Sequence, residues 1–246
     1  MTRRVVLTVA LACAFADPVR AQAPGPSPQP SAVTHTAYSK NTELFAEWRP
    51  LIVGQATRLT AHLTRTGDRF RPYAEGKVVL TLTVEGVAAN ASADGPERPG
   101  VFRLNVTPSK PGAGRVVIDV TAATGAEHFV IQDVPVYADV QAALAKQAPP
   151  ETGLVSYAKE RSWEEDFATA QVTVRFQGAA RMITVPSTAI VRDGATTQLY
   201  VQRTPERFEL REVKTRRTIG DAIEITSGLR DGDRIVVRGA EKMPRQ

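Results

Sequence analysis

One cysteine, Cys13, stands in the 246 residues, so the chain alone can build neither a disulfide nor a Cys-ligated zinc framework. Methionine is nearly as scarce, with none between Met1 and Met182. That gap excludes a thioether copper(I) site over most of the chain, because copper(I) carriers favour soft sulfur ligands. No apolar run reaches the roughly 20 residues that a bilayer-spanning helix needs; the longest is Val5–Ala16. HExxH and GxSxG are missing. So is a P-loop, since Gly76-Lys77 lacks the glycine five places before Gly76. Nothing here predicts an enzyme or a bound cofactor. What is present, 42% hydrophobic and 23% charged residues, suffices for real cores and excludes wholesale disorder.

The N-terminus reads as an export signal. Arg3 and Arg4 form a positive n-region, Val5–Ala16 an apolar h-region, and Val19-Arg20-Ala21 or Ala21-Gln22-Ala23 offers small residues for cleavage after Ala21 or Ala23. An uncleaved anchor, or lipidation at Cys13, are the alternatives. Cleavage after Ala23 leaves a cysteine-free chain in the periplasm, where cores must supply what disulfides otherwise would. Residues 24–34 open with PGPSPQPS, which follows Ala23 and reads as a polyproline-like tether. The remaining charge is uneven. Residues 24–171 carry 14 basic and 16 acidic side chains, whereas residues 172–246 carry 14 basic and 9 acidic. Export argues against nucleic acid as the partner of that basic half and leaves an anionic membrane surface, an acidic protein or an evenly solvated surface.

Period-two alternation predicts strands from Thr42 onward. Leu59, Ala61 and Leu63 alternate with Arg58, Thr60 and His62; Val78, Leu80, Leu82 and Val84 follow, then Phe102–Val106, Val116–Val120 and Phe129–Ile131. Thr66-Gly67-Asp68, Asp94-Gly95-Pro96, Pro111-Gly112 and Thr124-Gly125 supply turns. Residues 35–137 are therefore expected to form an antiparallel β-sandwich. Tyr137–Gln147 and Tyr157–Glu165 are the helix-friendly stretches, placed in a helical linker over 138–171. Residues 172–246 return to alternation, with strands expected at Met182–Val185, Thr188–Arg192, Gln198–Gln202, Phe208–Val213, Ile223–Thr226 and Arg234–Arg238. Asp193-Gly194 and Asp231-Gly232 are the strongest hairpin dipeptides. The fold class expected is mainly β: a sandwich plus a small β-roll or barrel, joined by short helices.

Few side chains suggest a site. Glu164-Glu165-Asp166 reads as a solvated helix end, because adjacent helical residues point apart. His35, His62 and His128 are weak metal candidates, and no two are spaced as a local site requires. His62 falls on the polar face of its strand. In the densest basic run, RFELREVKTRR (207–217), Arg207, Glu209 and Arg211 are read as one solvated strand face, with Lys214, Arg216 and Arg217 clustered before a turn. Arg207, Arg211, Lys214, Arg216 and Arg217 are the candidate docking residues, each basic group near an anionic surface contributing about 1 kcal/mol.

The segments VPSTAIVRDG (185–194), QLYVQR (198–203), RFELREVKT (207–215) and EITSGLRDGDRIVVRG (224–239) resemble the membrane-proximal domain of periplasmic adaptor subunits. These are the HlyD-like membrane-fusion proteins of resistance–nodulation–division (RND) efflux pumps. ELFAEWRPLIVGQATRLTAHLTR (43–65), EGKVVLTLTVEG (75–86) and KERSWEEDFATAQV (159–172) resemble the heavy-metal branch of that family. Full-length members carry a lipoyl-like domain, a long α-helical hairpin and most of a β-barrel between the entry strand and the Val-Pro motif. Here Val172 reaches Val185 directly through VTVRFQGAARMIT, and no heptad pattern of hairpin length occurs. The resemblance implies a truncated adaptor that docks on an inner-membrane RND-type pump, on other adaptor subunits or on copies of itself. A soluble periplasmic metal-binding or metallochaperone module is the alternative from another class.

Overall fold

The computed structural model describes residues 29–177 and 180–245, with backbone alone at 176, 177, 180 and 181. The expected cleavage residues Ala21 and Ala23, Cys13 and the first part of the tether lie outside the described residues. The end of the tether is held in place: Ser31 and Gln147 exchange two hydrogen bonds, at 3.1 and 2.9 Å.

The N-terminal strands are β1 (Val33–Tyr38), β2 (Thr42–Trp48), β3 (Leu51–Ile52), β4 (Thr57–Arg65), β5 (Arg71–Pro72), β6 (Lys77–Val84), β7 (Val87–Ala93), β8 (Val101–Val106), β9 (Gly112–Ala122) and β10 (Gly125–Tyr137). One sheet runs β1-β2-β4-β5, with β8 also paired to β4, and the other β3-β10-β9-β6-β7. All these pairings are antiparallel except β10 with β3. The expected sandwich forms because the alternating apolar faces meet. Leu44, Ala46, Leu59, Ala61, Leu63, Phe102 and Leu104 pack from one sheet onto Val78, Leu80, Leu82, Val116, Ile118 and Val120 of the other. Fully burying each such aliphatic side chain contributes about 1.5–3 kcal/mol before conformational entropy is counted.

The first sheet departs from the expected pattern on its outer face. Along β2 every residue but Glu47 is buried, the outward-facing Glu43 and Phe45 at 0% and 1% exposure. A strand buried on both sides has a second layer over it, and the C-terminal part of the chain provides that layer.

The segment expected as a helical linker is helical only in two six-residue pieces, α1 (Val140–Ala145) and α2 (Lys159–Glu164). Asp139 caps α1, its carboxylate accepting from the Ala142 N–H at 2.8 Å. The rest is drawn into sheet: β11 (Leu154–Ser156) and β12 (Ala168–Gln171) form the two ends of a C-terminal sheet. Three- and four-residue strands give too short an alternation to be read from sequence.

The remaining elements are β13 (Arg175–Gln177), β14 (Ala180–Pro186), β15 (Val191–Asp193), β16 (Thr196–Thr204), β17 (Arg207–Glu212), β18 (Lys214–Ile219), β19 (Ala222–Ser227) and β20 (Arg234–Arg238). They form two sheets, β11-β17-β16-β20-β12 with β15 beside β16, and β13-β14-β19-β18. Between them lies a core of Ile183, Val185, Leu199, Val201, Ile223, Ile225, Ile235 and neighbours. The architecture is therefore mainly β, a sandwich and a small roll, as the alternation implied.

Local expectations fared unevenly. Asp193-Gly194 closes the β15–β16 hairpin, Gly194 at φ +56°. Asp231-Gly232 does not close a hairpin, because the strands beside it, β19 and β20, belong to different sheets. It is a crossing turn whose Asp231 carboxylate accepts from the Val174 N–H at 3.1 Å, while the Gly232 N–H donates to the Val172 carbonyl at 3.1 Å. The strand expected over Thr188–Arg192 starts late. Ser187–Ala189 makes a 3-10 turn, held as the Thr188 hydroxyl donates to the Val237 carbonyl at 2.6 Å. β18 was not expected at all: KTRRTI has no apolar alternation to reveal it.

Candidate docking surface

The three histidines go to three environments. His35 stacks on Trp48 with centroids 4.6 Å apart, and burial lowers its pKa. His128 sits opposite Asp119 in the β9–β10 ladder, Nδ1 2.6 Å from the carboxylate, on the exposed face. His62 is buried at 7% exposure between Phe45 and Trp163, centroids 5.4 and 6.1 Å away, and desolvation pushes its pKa down to about 4. His35 shares a face with Ala46 and Ala61, the inner one, while His62 lies on the outer face of the same sheet. The structure thus does not bring the candidates together. Among the described residues no group of three or more His, Cys, Asp or Glu is arranged to hold a metal ion.

His62 belongs instead to the joint between the two β-units. Phe70 and Val101 of the sandwich enter one core with Tyr157, Trp163, Phe167, Tyr200 and Phe208 from the C-terminal part. Tyr157 and Phe167 stack at 5.1 Å, and Phe208 meets both rings edge-on at 6.4 and 6.0 Å. The Phe70 N–H donates to the Phe167 carbonyl at 3.1 Å, and the Trp163 indole N–H to the Thr64 hydroxyl at 2.9 Å. At its centre Lys159 and Glu43, 1% and 0% exposed, form an ion pair. The ammonium also lies 4.5 Å from the Phe70 ring centroid. Desolvation lowers the Lys159 pKa, and Glu43 opposes that pull. The Tyr38 hydroxyl donates to the other Glu43 oxygen at 2.9 Å and accepts from the Gln202 amide at 3.0 Å. Gly100, at φ +81°, leaves the room Trp163 needs: a Cβ there would meet the indole at 2.5 Å and Pro72 at 2.8 Å.

Sequence reasoning missed this joint. Alternation assigns Glu43, His62 and Thr64 to a polar, outward face, which is correct within the sandwich, but Trp163 and Lys159 then cover that face. The available signal was Trp163 itself, a large aromatic flanked by charge with no apolar period around it.

The basic run divides into two environments. Arg207 and Arg211 lie on β17 in one sheet, Lys214, Arg216 and Arg217 on β18 in the other. Arg207 is exposed and donates to the Ser156 hydroxyl at 2.7 Å. Arg211 is half-buried rather than solvated. Nε and Nη2 donate to both Glu209 oxygens at 2.8 and 2.6 Å, and Nη1 donates to Asp233 at 2.8 Å and to the Gly228 carbonyl at 3.3 Å. The hydrogen bonds and charge of Glu209, with Asp233, hold the guanidinium pKa above its usual range. Such a bidentate, charge-assisted arrangement ties a sheet to a loop. The docking residues that remain outward are Arg207 and the β18 group, every residue of β18 being exposed.

Residues 181–242 match the family model of the RND MFPs, C-terminal permuted SH3 domain. All four C-terminal segments that carried the sequence resemblance fall within that span. No curated protein matches the chain. Among solved structures, the chain is similar to a 180-residue piece of SilB from Cupriavidus metallidurans CH34, encompassing its N-terminal metal-binding site and membrane-proximal domain. The likeness is 26% identity over 52% of this chain and 60% of that one, with a TM-score of 0.27. A second is ZneB from Cupriavidus metallidurans, 16% identical over 74% of this chain and 40% of that one, TM-score 0.23. The chain thus covers less than two thirds of either structure, and at these TM-scores neither carries an argument about its arrangement. The similarity to the RND MFPs thus rests on residues 181–242, the stretch that resembles their C-terminal permuted SH3 domain.

Proposed function

We propose that the chain is a shortened periplasmic adaptor-like subunit of a metal-efflux RND-type system, acting by docking its β-units on an inner-membrane pump or on other adaptor subunits and catalysing no reaction. The observation that carries this reading is the match of residues 181–242 to the C-terminal domain of RND membrane-fusion proteins. A further feature supports it. The chain passes from β12 at Gln171 to β14 at Ala180 with only the short β13 between them, where full-length adaptors of the resembled family carry their hairpin. The buried joint supports a docking part as well, because a shared core presents the two β-units as one body, at little entropic cost on binding.

Co-purification of the tagged chain with its cognate RND pump from solubilised membranes tests the proposal. Recovery of the pump with the tagged chain is the expected result. Recovery of the chain alone at every detergent and salt condition would overturn it.

A further inference from the structure

The C-terminal unit ends one of its sheets in an open strand edge. β18 pairs with β19 and stands last in the order β13-β14-β19-β18. All six of its residues are exposed, and Ile219, at 45%, is among the most exposed large apolar side chains described. Such an edge presents a row of backbone N–H and C=O groups to any extended segment that can approach.

The side chains decide which segment that is. The β18–β19 register slips between Thr215 and Thr218, which pair with Ile225 and Ile223. One extra residue therefore sits on β18. In a regular strand, neighbours Arg216 and Arg217 would point to opposite faces. The bulge turns both toward one carboxylate: Arg216 Nη1 lies 3.6 Å and Arg217 Nε 2.7 Å from the two oxygens of Glu224, whose side chain is 8% exposed. One buried acid thus holds two guanidiniums that remain 70% and 58% exposed, and Lys214 adds a third exposed cation at the strand's start. The edge carries excess positive charge in a fixed arrangement.

We propose that β18 is a strand-addition site for an acidic, extended polypeptide segment of a partner protein. Like charge along the edge keeps two copies of this chain from pairing through β18. The same charge selects an incoming strand rich in Asp or Glu, whose backbone completes the ladder while Arg216, Arg217 and Lys214 meet its carboxylates. This rests on the docking reading and deepens it by naming the chemistry of the partner.

The test needs no pump, so its outcome is independent of the co-purification above. The full chain, 15N-labelled, is titrated at low salt with a ten-residue peptide alternating Glu and Val. The same peptide with Lys for Glu and vesicles of phosphatidylglycerol are titrated in parallel. Expected are amide shifts concentrated at 214–219 with the Glu peptide only, together with new hydrogen-exchange protection there. Binding should weaken at least tenfold in R216Q/R217Q and tighten severalfold in E224Q, which frees both guanidiniums. Absence of shifts at 214–219, shifts without new protection, or binding of vesicles but not of the peptide would each overturn the proposal.

Discussion

Replacing Lys159 with Met tests the joint at its most sensitive point. Lys159 and Glu43 are 1% and 0% exposed and approach from α2 and from β2 of the sandwich. K159M keeps the length of the side chain and removes its charge, leaving the Glu43 carboxylate with the Tyr38 hydroxyl as its remaining donor. Removing one member of a buried ion pair costs about 3–5 kcal/mol, because the other charge stays buried without compensation. Set against a total stability of about 5–15 kcal/mol, that is a large share. At about 2–4 °C per kcal/mol for a chain of this size, the melting temperature should fall by about 6–20 °C. E43Q on the same background removes the stranded charge while its amide oxygen still accepts from Tyr38. The double variant should recover at least about 2 kcal/mol relative to simple additivity. Urea unfolding followed by circular dichroism on the four chains closes the cycle. A K159M chain within about 1 kcal/mol of the parent, with no coupling to E43Q, would refute the buried joint, since it would mean that water reaches the pair in solution.

Other expectations follow from neighbouring residues. Burial holds the His62 pKa near 4 against an ordinary 6.5, so the folded state binds fewer protons than the unfolded one. Stability should be fully present above pH 6.5 and fall toward pH 4, by up to about 3 kcal/mol, and H62Q should flatten that slope in unfolding curves taken across this range. Gly100→Ala places a Cβ 2.5 Å from Trp163 at φ +81°; strain and clash together should cost about 2–4 kcal/mol. Gly54→Ala, at φ +73° with open space around it, should cost about 1 kcal/mol in the same denaturation assay. R211A removes two donors from Glu209 and one from Asp233, which keeps the Arg230 N–H, and should destabilise by about 1.5–3 kcal/mol, whereas the exposed R207A should stay within about 0.5 kcal/mol.

The sandwich was legible because its inner faces obey a period of two: Leu59, Ala61 and Leu63, or Val78, Leu80 and Leu82, name their own burial. The joint was not. Glu43, His62 and Thr64 are polar residues on an outward face, and only the long-range return of Trp163 and Lys159 buries them, which no local pattern encodes. β11 and β12 were too short to show a period, and β18 hid behind its arginines, since an edge exposed along its whole length needs no apolar face. The basic run divides, as the sequence implied, into a strand face and a following cluster, but the solvation of the first was misread: Arg211 is bound inward by two carboxylates, whereas Arg216 and Arg217 are gathered outward by one. The C-terminal resemblance was readable because Val-Pro, Asp-Gly and Gly-Leu recur in order over a contiguous stretch, and that stretch is the one the family model spans.

The adaptor reading meets its most direct test in the binding of the purified full chain to the cognate RND pump held in lipid nanodiscs, followed by biolayer interferometry. Saturable binding above that to empty nanodiscs is the predicted result; a response equal to that of the empty discs would contradict the account.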